Sequence, residues 1–141
     1  MKQAAGLLLR LALGGVFIFA GVVKIINPAH FAADVGNYRL LAREWVNLFA
    51  ITLPWIETLA GLLLVAGIWK RASALLIAAM LAVFLIAIGQ AVARGLNINC
   101  GCFGTVEGRK VGLEALAQDA AMLAAALWLV WQDRSARKER A

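Results

Sequence analysis

Charge is scarce in this 141-residue chain: 16% of residues are Asp, Glu, Lys or Arg, against 63% that are hydrophobic. Ordinary soluble domains carry about a quarter charged residues, so a water-soluble core is excluded. There is one histidine and there are two cysteines. A zinc site needs about four ligands, so Cys100, Cys102 and the distant His30 cannot complete one within a single chain, and no metal is expected. Only two prolines, Pro28 and Pro54, can interrupt helices. The sequence has no internal repeat, low-complexity tract or linker, and residues 1–141 read as a single domain.

What fills the chain instead is four long apolar blocks: Ala4 to Ile26, Phe49 to Trp69, Ala72 to Ala93 and Val111 to Trp131. Each reaches the roughly 20 residues needed to cross a bilayer. The sequence therefore predicts an all-α integral membrane four-helix bundle in a lipid bilayer. The first block is too long for a cleaved signal core and carries Arg10, so it is expected to be retained. Pro54 falls near the start of the second block, where a proline is tolerated, and no broken-helix pattern of a transporter is seen.

The net charge of +6 does not point to nucleic acid, because the basic residues are spread over short loops and a tail with no aromatic-basic surface. They read as orientation signals. With four spans the termini share a side with the Trp69 to Ala72 turn. Eight of the fourteen Lys and Arg fall there, close to helix ends. By the positive-inside rule both termini are expected in the cytoplasm of a bacterial cell and the loop between spans three and four in the periplasm. Trp45 and Trp55 read as an outer aromatic belt, and Trp69, Trp128 and Trp131 as an inner one.

The longest connection joins spans one and two. Asn27-Pro28 ends the first helix, and Leu40, Leu41, Trp45 and Leu48 recur at helical spacing, which predicts a short interfacial helix there. Ionisable groups within spans are costly and invite functional readings. Lys24 and Glu57 are expected level with each other near the outer boundary, either as a structural ion pair or as groups that tune a nearby redox or proton-transfer site. Gln90, Glu114, Gln118 and Asp119 reach comparable depths, and the helix dipole suffices to account for Glu114 and Asp119.

The cysteines lie in "NINCGCFG", Asn97 to Gly104, on the side where disulfides persist. Bridging residues two apart closes almost no chain, so stapling gains little. A bridge that tight is strained and more easily reduced. Gly101 can adopt the backbone such a ring needs, and Gly104 relieves crowding after it. Thiol–disulfide exchange is favoured, with inert unpaired thiols as the alternative.

"NCGCFG", with "NYRLL" in the connector, "LPWIETLAGLLLVAGIWKRASALL" through span two and "RLALGGVFIFAGVVKIINP" in span one, resembles the MauE branch of the DoxX-like membrane proteins over nearly the whole chain. The resemblance implies a redox-associated bacterial inner-membrane protein, connected with methylamine utilisation and acting with a periplasmic thioredoxin-fold partner, MauD-like. It carries Cys100, Cys102 and the "CFG" that includes Phe103 onto the cysteine motif, Lys24 and Glu57 onto polar positions of the first two helices, and Tyr38 and Arg39 onto the connector motif. Ala42 stands where relatives often have proline. Two functions follow as expectations: an oxidoreductase cycling Cys100 and Cys102, linked to a quinone held near Lys24, Glu57 and Gln90, or a non-catalytic subunit or chaperone that docks a periplasmic redox protein. Oligomeric state is not legible.

Overall fold

The computed structural model describes residues 1–98 and 111–141. Five helices follow in order: α1 Lys2–Ile26, α2 Pro28–Asn37, α3 Arg43–Ala66, α4 Lys70–Ala93 and α5 Leu113–Arg140. Four of them, α1, α3, α4 and α5, are long and apolar enough to cross a membrane. Among these four the 18-residue apolar stretch of α5 has the lowest mean hydropathy, 1.5, and the last turn of that helix carries Arg137, Lys138 and Arg140. The side chains that face out of the bundle are largely apolar, among them Phe19, Ile51, Leu59, Val83 and Ile86. Such a surface is stable against lipid and not against water.

Close approach of α1 and α3 organises one half of the bundle. A Cβ added at Gly61 would lie 2.7 Å from the Gly14 carbonyl oxygen, and one at Gly21 would lie 2.7 Å from that of Pro54. Small residues permit this backbone contact, which in lipid supplies the dispersion that the hydrophobic effect no longer provides. The second half pairs α4 with α5, and Leu13, Phe17, Leu64, Ile77, Leu81 and Ala126 fill the space between the halves. The turn from α3 to α4 is tight. Gly67 takes φ 77°, its N–H donates to Leu64 O and that of Ile68 to Leu63 O, a Schellman arrangement that only a left-handed residue allows.

Both ends of the chain meet at one end of the bundle, where Gln132 Nε2 donates to Lys2 O at 2.8 Å. At the opposite end lie Lys24, the connector and the junction of α4 with α5. There the Val111 N–H donates to Ile98 O at 2.8 Å, so the described chain leaves and returns at one point.

Two boundaries differ from the sequence reading. The short helix between spans one and two is present, but it occupies Pro28–Asn37 rather than the stretch around Leu40 to Leu48. Pro28 occupies its first turn, where the missing N–H costs nothing. Residues from Arg43 onward join α3 instead. Pro54 consequently sits inside α3 rather than near its start. Trp45 and Trp55, ten residues apart on this one helix, are separated by roughly 15 Å and do not mark a single level. Ala42, the residue before α3, has φ −62° and ψ 146°, the backbone that proline would fix.

Candidate functional site

The α1–α3 contact brings Lys24 and Glu57 together. Lys24 Nζ lies 3.0 Å from both Glu57 Oε1 and Oε2, with side chains 0% and 2% exposed. The rings of Phe31 and Phe84 sit 4.7 and 5.4 Å from the same nitrogen. Their faces attract a cation and are worth more when it is desolvated. The two-pronged contact satisfies the carboxylate, and the rings take the place of water around the ammonium. Charges removed from water are tolerated only with this degree of pairing.

Two further carboxyl groups are buried at this end. Asp119 is the seventh residue of α5, 3% exposed, and its Oδ2 has no hydrogen-bond partner. With Glu57, Met122 and Phe84 it lines a void of about 10 Å³, close to the smallest that holds one water. A helix dipole explains neither its burial nor its position beside the ion pair. Asp34 follows Phe31 by three residues on the inward face of α2, and both are buried. Burial pushes the Asp34 carboxyl above its ordinary range, and His30 and Lys24 pull it back only in part. His30 Nδ1 lies 3.3 Å from Asp34 Oδ2, without the geometry of a hydrogen bond.

Beside the pair is a mostly apolar cavity of about 160 Å³, lined by Phe31, Asp34, Tyr38, Phe49, Phe84 and Ile88 among others. Tyr38 and Ile88 also pack with Val92, Val111, Ala115 and Leu116, and so join the cavity wall to the point where residues 98 and 111 meet.

Of the residues singled out from the sequence, the fold joins Lys24 to Glu57 and sets Tyr38 in the cavity wall. Arg39 is exposed with φ 52°, so it turns the chain after α2. Gln90 is half-buried near the end of α4 and lines neither of these cavities. Cys100, Gly101, Cys102, Phe103 and Gly104 lie outside the described residues. Asp34, Phe31 and Phe84 were missed. A helix registered from Pro28 would have put Phe31 and Asp34 on one face, which is the signal that could have found them.

A family model described as "Methylamine utilisation protein MauE" matches residues 2–132. Three curated proteins, each called "Methylamine utilization protein MauE", are similar to the chain. That of Methylorubrum extorquens is 32% identical over 113 residues, 79% of this chain and 61% of the relative. That of Methylophilus methylotrophus is 34% identical over 88 residues, 62% and 46%. That of Paracoccus denitrificans is 33% identical over 96 residues, 67% and 52%. The matched chain therefore spans about half to three-fifths of these relatives' length. No solved structure matches.

Proposed function

The chain belongs to the MauE family, and on that premise we propose that it is a bacterial inner-membrane protein performing thiol–disulfide exchange through Cys100 and Cys102. Its termini face the cytoplasm and the cysteine segment faces the periplasm. Its partner is a thioredoxin-fold protein, and its physiological role is an accessory one in methylamine utilisation. Exchange proceeds when one thiolate attacks a partner disulfide, forming a mixed disulfide and releasing a partner thiolate. The second thiolate then displaces the partner, leaving Cys100 and Cys102 bridged and the partner's two thiols reduced.

One observation carries the reading. Ile98 and Val111, which bracket the cysteine segment, are hydrogen-bonded to each other at the bundle end where Lys24, Glu57 and Asp34 are buried. That hydrogen bond lies at the opposite end of the bundle from the contact of Gln132 with Lys2. Buried, ring-shielded charge is the kind of setting that alters the thiolate stability, and hence the exchange, of a cysteine brought near it.

Mixed-disulfide trapping tests it. A thioredoxin-fold protein with its second active-site cysteine replaced should form an intermolecular disulfide with the native chain in membranes. Cys100→Ser and Cys102→Ser together should abolish the adduct without lowering the amount of folded protein. An undiminished adduct without both cysteines overturns the proposal. Binding of the partner with no adduct and no dithiol oxidation favours a non-catalytic docking subunit. Alkylation of single cysteines engineered at Lys2 and Asn97 with a membrane-impermeant reagent reports orientation, and labelling of Asn97 alone in intact cells is expected.

A further inference from the structure

The cavity beside Lys24 has the size, walls and access of a ligand site. At about 160 Å³ it is comparable to a cavity of 150 Å³ that, when walled by aliphatic and aromatic side chains, stays dry and takes up a single six-membered ring. Four of its lining residues, Phe31, Tyr38, Phe49 and Phe84, carry rings that can stack on or edge against such a guest. Leu40, Leu41 and Val83, also in the lining, are 46%, 40% and 56% exposed, so the cavity opens toward the lipid-facing surface.

Asp34 narrows the identity of the guest. Its side chain is 5% exposed, it belongs to the lining, and its Oδ2 has no hydrogen-bond partner. A lipid acyl chain in the cavity would offer that oxygen nothing and leave it only the 3.3 Å contact with His30 Nδ1, in a medium where an under-satisfied polar group is expensive. Water alone fits poorly, because an ordered water needs two to four polar partners and the lining offers few. A membrane-dissolved ring bearing oxygen substituents meets both demands. The position gives such a ring a use, since Tyr38 and Ile88 connect the cavity wall to Val111, and Val111 is bonded to Ile98 two residues before Cys100.

We propose that this cavity binds the ring of a membrane quinone, with Phe31, Phe49 and Phe84 around the ring, the Asp34 carboxyl donating its proton to a ring carbonyl oxygen or, as carboxylate, accepting from a hydroxyl of the hydroquinone, and the isoprenoid tail leaving between Leu40, Leu41 and Val83. The quinone's redox role rests on the thiol–disulfide reading. In that step the reduced Cys100 and Cys102 lose two S–H bonds and two electrons and form one S–S bond. The quinone takes up the two electrons and two protons, and its two carbonyl oxygens become the hydroxyls of a hydroquinone. The site is displaced from the one expected around Lys24, Glu57 and Gln90, none of which lines the cavity. Phe31 and Phe84 stand in both the cavity wall and the shell around Lys24.

The test is equilibrium binding of decylubiquinone to the detergent-purified full chain, followed by quenching of tryptophan fluorescence. Saturable binding is expected. Ala87→Phe, which fills the cavity from α4, should weaken it tenfold or more. Asp34→Ala should weaken it several-fold, and Asp34→Asn, which keeps a hydrogen-bonding group, less than Asp34→Ala. Cys100→Ser with Cys102→Ser should bind as the native chain does. Absence of saturable binding, or unchanged affinity in both the folded Ala87→Phe and Asp34→Ala variants, overturns the site. The two readings separate cleanly. Saturable binding that Ala87→Phe removes, in a protein whose thiols trap no partner, keeps the site and discards the exchange reading. Trapping without quinone binding does the reverse.

Discussion

The two ends of the bundle handle charge in opposite ways. At the connector end Lys24, Asp34, Glu57 and Asp119 are each no more than 3% exposed, yet the surrounding walls are phenylalanine, leucine and isoleucine. At the terminal end Arg10, Lys70, Asp133, Arg137 and Arg140 line a broad cleft of about 510 Å³ between α1, the start of α4 and the end of α5. Lysine and arginine beside a helix end can keep their stems in apolar surroundings and their heads in water. The difference separates charge withdrawn into the bundle from charge kept at its rim. The first has been removed from water, at a cost that pairing offsets for Lys24 and Glu57, and the second lines a cleft that solvent can enter.

The sharpest way to break that contrast is to remove one member of the buried pair. Lys24→Met leaves Glu57 buried without its partner, and should cost about 3–5 kcal/mol, measured by unfolding in mixed micelles. Adding Glu57→Leu to the same protein should recover most of that loss, because an apolar pair avoids desolvation altogether. If the double variant is folded and still trapped by a thioredoxin-fold partner at the native rate, the pair is structural. If it is folded but trapped slowly, the pair serves the thiols.

The second test addresses the contact that makes the burial possible. A methyl group at Gly61 would meet the Gly14 carbonyl oxygen at 2.7 Å and Ile18 at 2.9 Å, so Gly61→Ala must push α1 away from α3. Overpacking of this kind should cost about 1–3 kcal/mol and loosen the Lys24–Glu57 contact with it. Gly15→Ala, also on α1, meets nothing within 4 Å and should be neutral or stabilising, since alanine is the better helix former.

The sequence made some of this legible and concealed the rest for identifiable reasons. The four spans could be read because an apolar run of about 20 residues has few other uses. Lys24 and Glu57 could be matched because charges within spans are rare and demand partners. The connector misled, since its apolar residues after Asn37 fit helical spacing equally well as a separate helix or as the first turns of α3. That boundary error hid Asp34, and it also made Pro54 look terminal. Asp119 was visible but credited to the helix dipole, because position along a helix does not reveal which face is buried.

Asp34 offers a third and gentler probe, through pH. Burial holds its folded-state carboxyl above the ordinary value of 3.8. As pH rises from that value, the unfolded chain gives up its proton first, and the folded state loses stability until the raised value is passed. Below 3.8 both states are protonated and the cost is absent. Asp34→Asn has no such proton. The native protein should therefore gain more in melting temperature between pH 7.5 and pH 4 than Asp34→Asn does, in the same detergent. An equal gain in the two would mean that the carboxyl is solvated at neutral pH.

The smallest effect is expected at the terminal end, and it is the one that fixes the contrast. Arg10 is half-buried, and its Nε is enclosed without a hydrogen-bond partner, so by that single atom it resembles the buried carboxyl groups. The remainder of its guanidinium lies along the cleft with Lys70 and Arg137, next to Gly67 at the α3–α4 turn. There water or lipid headgroups can reach it. A cation of this kind contributes little to stability, so Arg10→Ala should change unfolding by no more than about 1 kcal/mol, with the difference shrinking as salt is added. Its consequence should appear in topology instead. Removing Arg10 together with Lys2 reduces the positive charge flanking the first span, and the fraction of chains inserted with the opposite orientation should rise, as read by impermeant labelling at Asn97. A loss of stability as large as that of Lys24→Met, insensitive to salt, would place Arg10 among the desolvated charges and remove the distinction between the two ends.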